Sequence, residues 1–288
     1  MKKIFLLLFL VVAGASAAQA QRSQIVKDTL RSNILGEGVP YNVYLPAGFN
    51  ADSGQKYPVI YLLHGLYGMQ EDWQERGRMK DVADLLAASG EIGPVVIIMP
   101  CAGHEDVHNV QNGYFNMPGR SYEDFFFQEL LPQAEEKYHC IGDKAHRAVM
   151  GLSMGGGGST VYCQRHPDMF SSCYAMSAWL DQEGERDYVG DKEKDKLYIV
   201  AKSVHDHSAL EFVDKADEKT IQDLKSVAWF FDCGDDDYLL KLSVALHFSM
   251  MGKGIRNELR VRDGAHTWEY WHTALYQSLP FAWRNFGK

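Results

Sequence analysis

Residues 147–158 read RAVMGLSMGGGG. The apolar run Ala148, Val149, Met150 stops at Gly151-Leu152-Ser153-Met154-Gly155, and glycines continue to Gly158. A β-rich run, a G-x-S-x-G turn and a helix-compatible stretch, in that order, are the parts of a nucleophile elbow. This sharp strand-to-helix turn lifts a serine hydroxyl above a sheet. A side chain at Gly151 or Gly155 would collide with neighbouring backbone, and the later glycines let the following helix lie close to the sheet. Ser153 is therefore the candidate nucleophile.

Outward from the elbow, strand-like and helix-like segments alternate. Residues 57–63 and 94–99 are nearly continuous apolar runs, which suit parallel strands covered on both faces. Residues 24–30 and 39–44 instead alternate apolar and polar side chains, predicting half-exposed antiparallel strands at a sheet edge. Residues 79–89 place Val82, Leu85 and Leu86 at helical spacing, and 122–138 do the same with Phe125, Leu130, Leu131 and Ala134. Segments 170–177, 227–233 and 257–262 supply three more strands, and 274–286 a closing helix. The expectation is one α/β domain over residues 21–288: a mostly parallel, doubly wound sheet with antiparallel N-terminal edge strands and no separate large cap domain. Residues 181–225 interrupt the rhythm with many charges. They read more readily as a solvated excursion with a surface helix than as a small insertion near the site.

Residues 1–20 have the composition of a signal peptide. Lys2 and Lys3 precede the apolar stretch 4–12, and Ala18-Gln19-Ala20 forms an A-x-A cleavage site. The stretch is too short to span a bilayer. The expected mature chain begins at Gln21 and is secreted or periplasmic, with no stable membrane anchor. A net charge of -9 and a pI near 5.6 argue against nucleic acid or an anionic membrane as partner. Nothing in the pattern sets an oligomeric state. The five cysteines, Cys101, Cys140, Cys163, Cys173 and Cys233, are odd in number, so at least one stays a thiol or pairs between chains. Their spacing matches no zinc pattern, and they are expected as small buried apolar groups.

A nucleophilic serine needs a base to take its proton and a carboxylate to hold that base. The strand 227–233 runs into Gly234-Asp235-Asp236-Asp237, and the strand 257–262 is followed by Gly264-Ala265-His266-Thr267-Trp268. The order Ser, Asp, His is that of an elbow serine in an α/β-hydrolase. His266 is the candidate base; His272 competes but falls on or near the closing helix. The residue pattern leaves Asp236 and Asp237 both open as the acid. Backbone donors for the oxyanion are expected from Met154, the residue after the nucleophile, and from the turn His64-Gly65-Leu66-Tyr67-Gly68 that follows strand 57–63.

The chain resembles the esterase D-like, or putative esterase, family of α/β-hydrolases. That family includes feruloyl esterases, short-chain ester hydrolases, S-formylglutathione hydrolases and mycolyltransferases. The resemblance covers nearly the whole chain beyond residue 20: LLHGLYG with Asp72-Trp73 downstream, Tyr122-Glu123-Asp124, HRAVMGLSMGG, His166-Pro167-Asp168, DCGDDDYL and GAHTWEYW. The family pattern C-G-x-x-D, laid on Cys233-Gly234-Asp235-Asp236-Asp237, implies Asp237 as the acid. It likewise implies His266 as base and the N-H of Leu66 as the first oxyanion donor. Ala265 departs from the pattern, where a second glycine is common, and so does the run Gly157-Gly158. Neither removes a reacting group.

Two other readings have a basis in the residues. His104-Glu105-Asp106-Val107-His108 matches H-E-x-x-H, in which two histidines one helical turn apart bind zinc and the glutamate is general base, with Glu129 a conceivable third ligand. The motif needs a helix, yet it lies between Gly103 and Asn112-Gly113, which signal a loop. A non-catalytic carbohydrate-binding relative would be expected to lack Ser153, Asp237 or His266.

The chemistry expected is acyl transfer through Ser153, without metal or organic cofactor. The resemblance and the export signal together favour feruloyl or short acyl (acetyl) esters of plant polysaccharide over S-formylglutathione or long lipids; a general short-chain carboxylesterase or an acyltransferase is the alternative. Tyr67, Trp73, Trp179, Trp268 and Trp271 lie near expected strand ends, where they stack on a sugar or hydroxycinnamoyl ring or serve as core aromatics.

Overall fold

The computed structural model describes residues 22–182 and 194–288. The expected signal peptide, 1–20, lies outside the described residues. Eight strands form one sheet: β1 (Gln24–Arg31), β2 (Gly38–Leu45), β3 (Val59–Leu63), β4 (Val96–Pro100), β5 (Arg147–Leu152), β6 (Ser172–Met176), β7 (Ala228–Gly234) and β8 (Asn257–Arg262). Their order is β1-β2-β4-β3-β5-β6-β7-β8. β2 pairs antiparallel with β1 and β4, and every other pair is parallel. This is the α/β-hydrolase fold.

Among the described residues, the helices longer than four residues are α1 (Met79–Ser89), α2 (122–137, with a π turn at Phe126–Leu130), α3 (Met154–Arg165), α4 (Lys196–Asp206), α5 (Ala209–Asp214), α6 (Glu218–Leu224), α7 (Leu240–Gly252) and α8 (Trp268–Asn285). Strand side chains alternate between the two faces of the sheet. Val59, Tyr61 and Leu63 of β3 therefore join one core with α2, α3 and α7, while Ile60 and Leu62 join another with α1 and α8. Both faces are dry, which is why β3, β4 and β5 read as unbroken apolar runs.

Several sequence expectations change. β2 is buried from Tyr41 onward rather than half-exposed, because β1 and β4 flank it and both its faces are covered. Its polar handle is used inside: the Tyr44 hydroxyl donates to Asp84 Oδ1 on α1 at 2.8 Å. β3 begins at Val59, since Pro58 has no N-H for a ladder, and Tyr57 keeps only an isolated bridge to Cys140. In α1 the buried set is Met79, Val82, Ala83 and Leu86, and Leu85 faces solvent. The closing helix starts at Trp268 rather than 274, capped by the Thr267 side chain. Residues 194–225 hold three helices, α4 to α6, instead of a single surface helix. No helix among the described residues is long and apolar enough to cross a membrane.

β7 contributes a buried carboxylate, Asp232, that ties the carboxyl half of the sheet together. It accepts the hydroxyls of Tyr174 on β6 and Tyr270 on α8, both at 2.6 Å, and pairs with Arg260 on β8.

Candidate active site

The elbow forms as its glycines require. Ser153 sits between β5 and α3 at φ 53°, ψ -118°, a conformation that costs a non-glycine residue of order 1–3 kcal/mol. The surroundings hold it there. Its N-H donates to Met176 O at 2.9 Å, and its C=O accepts from Gly157 and Trp179 at 3.0 and 2.9 Å. A Cβ on Gly151 would come within 2.5 Å of Gly155 O, and one on Gly155 within 2.5 Å of His64 O, so neither position admits a side chain.

His266 and Asp237 follow the carboxyl ends of β8 and β7. His266 Nε2 lies 3.0 Å from Ser153 Oγ, and its Nδ1 lies 2.9 Å from Asp237 Oδ2. A carboxylate can only accept, so Nδ1 carries the proton and the Nε2 lone pair faces the serine. Asp237 is buried, and its Oδ1 accepts the Leu239 N-H at 2.9 Å. Burial pushes its carboxyl up, but donors at His266, Leu239 and Ser177 outweigh that and hold it below the usual carboxylate value. Asp235 and Asp236 are exposed, and Asp235 Oδ1 instead accepts Gly264 N-H at 3.0 Å. His272 lies on α8, with its ring 2.8 Å from Gly77 O.

A turn of Gly65 to Gly68 places Leu66 beside Ser153 on the same cavity wall. Gly65 O takes the Gly68 N-H at 3.1 Å and lies 2.7 Å from His64 Nδ1. The N-H of Leu66 belongs to that same trans peptide and so points the opposite way from the pinned carbonyl. His64 Nε2 accepts Ala102 N-H at 2.9 Å, so both ring nitrogens are used and the ring is neutral. Burial pulls its pKa down to about 4. The Met154 N-H heads α3, where the helix dipole favours negative charge.

Ser177 and Trp271 complete the support. Trp271 meets the His266 ring edge-on at 4.8 Å and donates its indole N-H to Ser177 Oγ at 3.0 Å. An indole only donates, so the fully buried Ser177 oxygen accepts there and its proton turns to the Asp237 side. Neither His64 nor Ser177 carries a functional signal in the sequence. A lone serine after a strand carries no motif, and His64 read only as part of a glycine turn.

The triad opens into a cavity of about 890 Å³. Tyr67, Trp179, Trp268 and Trp271 line it, joined by Tyr238, whose exposed ring lies 4.7 Å from His266. Trp73 does not. It is 1% exposed, donates its indole N-H to Leu63 O at 3.0 Å and packs edge-on against Trp268, so it is a core residue behind the wall. Asp181, Gln182 and Leu197 also reach the cavity, so the charged excursion borders the site after all.

The H-E-x-x-H stretch forms no helix. His104 Nδ1 accepts Asp106 N-H, His108 faces Asp195 at 3.1 Å, and Glu129 is occupied by Ser32 and the N-H groups of Asn33 and Ile34. Among the described residues, His104, His108 and Glu129 do not bring their ligand atoms together. The five cysteines are buried thiols.

A family model described as "Putative esterase" matches residues 32–282. A solved ferulic acid esterase superposes with TM-score 0.89 at 48% identity, covering 93% of this chain and 100% of its own. The endo-1,4-beta-xylanase/feruloyl esterase of Xylanibacter ruminicola is 32% identical over 145 residues, 49% of this chain but only 20% of that protein. The chain thus spans about a fifth of that relative's length. Fluorophosphonate-binding serine hydrolase F of Staphylococcus aureus shares the fold, with TM-score 0.74 and 20% identity over 91% of this chain and 98% of its own.

Proposed function

The chain belongs to the putative esterase family of α/β-hydrolases and is a serine carboxylic-ester hydrolase, and from that premise we propose that it cleaves feruloyl esters, and short acyl esters such as acetyl, on plant polysaccharide outside the cytoplasm. One observation carries this reading: a solved ferulic acid esterase is 48% identical over nearly the whole chain. The aromatic walls of the cavity, Tyr67, Trp179 and Trp268, suit a hydroxycinnamoyl ring or a sugar face. The composition of residues 1–20 supports export.

In the proposed mechanism His266 Nε2 takes the Ser153 proton as Oγ attacks the ester carbonyl. The Leu66 and Met154 N-H groups receive the oxyanion, and Asp237 stabilises the imidazolium. His266 then protonates the departing sugar alcohol, leaving an acyl-serine. Water enters on the same side, gives its proton to His266 and releases the acid.

Ser153→Ala is expected to lower kcat on the order of a thousandfold or more while leaving the thermal unfolding transition in place. Unchanged turnover in the folded variant would remove Ser153 from the chemistry. The substrate is tested separately, by kcat/KM across feruloylated arabinoxylan fragments, acetylated xylan and long-chain lipid esters. The feruloyl fragments should rank first; a clear preference for the lipid esters would overturn the substrate and leave the triad standing.

A further inference from the structure

The end of the sheet opposite Ser153 carries a second concavity, of about 540 Å³. Its rim gathers Lys144, Lys225, Arg256, Arg284 and Lys288, with Glu258 the carboxylate on the rim itself and Asp168 and Asp223 behind Lys144, in a chain of formal net charge -9. Lys144 comes from the turn before β5, Lys225 from the end of α6, Arg256 from the residue before β8, Arg284 from the last turn of α8 and Lys288 from the residues after it. Among the described residues none of these five takes part in an ion pair. Lys80, Lys202, Lys215 and Lys219, by contrast, each close one with a carboxylate four residues along their helix.

Helix dipoles account for part of this. Lys225 and Arg284 stand at helix carboxyl ends, where cations are favoured. Lys144 and Arg256 stand at none. Lys144 is held across the groove by Ser226 Oγ at 2.7 Å, and burial lowers its ammonium below the usual lysine value despite the carboxylates of Asp168 and Asp223. A partly buried cation without a paired carboxylate is costly, and an anion entering the groove would relieve it.

We propose that this groove binds the carboxylates of an acidic, uronate-bearing polysaccharide and so holds the enzyme on the polymer that carries its ester; this rests on the reading of the substrate as a polysaccharide ester. Exposed cations bind single anions weakly, so several carboxylates on one chain suit five spread cations better than one small anion does. A nucleic acid carries a phosphate at every residue and would meet the acidic remainder of the surface beyond the groove. Uronates are spaced, and the neutral sugars between them avoid that repulsion. The strands between groove and Ser153 are about 20 Å long, so the two places do not compete for the same sugar.

The test is mobility in native gels containing polygalacturonate, neutral arabinoxylan or single-stranded DNA, run with Ser153→Ala protein so that hydrolysis plays no part. Polygalacturonate should retard the protein, less so as salt rises, and Lys144→Glu/Arg256→Glu should weaken retardation roughly fivefold or more. Lys225→Glu/Arg284→Glu is the second pair, used if the first fails to unfold cooperatively. With Ser153 restored, both pairs should hydrolyse p-nitrophenyl acetate within about twofold of the parent. Retardation by polygalacturonate that is undiminished in the variants or indifferent to salt, or tighter binding of DNA than of polygalacturonate, would overturn the proposal. Failure to cleave feruloyl esters with polygalacturonate binding intact would reject the substrate reading alone.

Discussion

Asp235, Asp236 and Asp237 share one turn but not one environment. Only Asp237 turns inward, to His266 and the Leu239 N-H. Spacing along a turn does not say which carboxylate is buried, so residue types alone left Asp236 and Asp237 open, and the family pattern had to separate them. Asp237→Asn puts an amide against Nδ1, favours the wrong tautomer and is expected to cost roughly 10³ to 10⁴ in kcat. Asp235→Asn and Asp236→Asn should stay within about threefold. Steady-state kinetics of the three decide it, and a larger loss at Asp236 would move the acid. Ser177 gives a subtler expectation. Ser177→Ala removes one donor to Asp237, whose carboxyl rises and becomes a more basic acceptor for the His266 N-H, so the protonated ring is favoured and the acid limb of the kcat profile moves to higher pH, with a loss of about tenfold at neutral pH. Ser177→Thr keeps the hydroxyl and should restore the profile; identical limbs in parent and alanine variant would leave Ser177 a packing residue.

At the scale of elements, the strand-turn-helix of β5 and α3 was legible because its constraints are local. Apolar run, G-x-S-x-G and glycine tail each state a requirement of the backbone around Ser153. The later glycines do more than the sequence suggested. A Cβ on Gly157 would lie 2.2 Å from Trp179 O, a backbone atom of the loop after β6. Gly157→Ala should therefore displace that loop, with a stability loss of about 1–3 kcal/mol by urea unfolding and a raised KM as the Trp179 wall moves. An unaltered midpoint and KM would show that α3 can shift instead. What stayed illegible depends on partners distant in the chain. The burial of β2 follows from its place between β1 and β4, and that of Trp73 from the Leu63 carbonyl and the Trp268 ring. Neither is written in local periodicity.

At the scale of the molecule, acid should weaken the fold in two stages. His64 is neutral and fully buried, with its pKa lowered from 6.5 to about 4. Between those values the unfolded chain binds a proton that the native state refuses, so stability falls as pH drops through that window, by about 3 kcal/mol in all. Asp28 and Asp237 act lower. Burial raises each, but hydrogen bonds win, from Lys137, Tyr41 and Tyr138 for Asp28 and first from His266 for Asp237, and both carboxyls sit below the ordinary value. Their contribution is present above about pH 4 and is lost as pH falls through the lowered values. Urea midpoints between pH 7 and pH 3 check this; a flat profile from about pH 6.5 to 4 would contradict the neutral state of His64. Chemical inhibition tests the whole site at once: a sulfonyl fluoride should abolish activity and label Ser153, whereas a zinc chelator should leave it intact. Chelator loss restored by zinc would return attention to His104 and His108.

The buried Asp232 has a consequence for motion. Arg260 and Tyr270 both grip it, and His266 lies on the stretch between them. That stretch is clasped at its two feet by one carboxylate, so lifting either foot takes a partner from a buried charge. Slow amide exchange on β8 and at the start of α8 should report a single opening event with a common free energy, and Tyr270→Phe should speed exchange on both sides of the loop together.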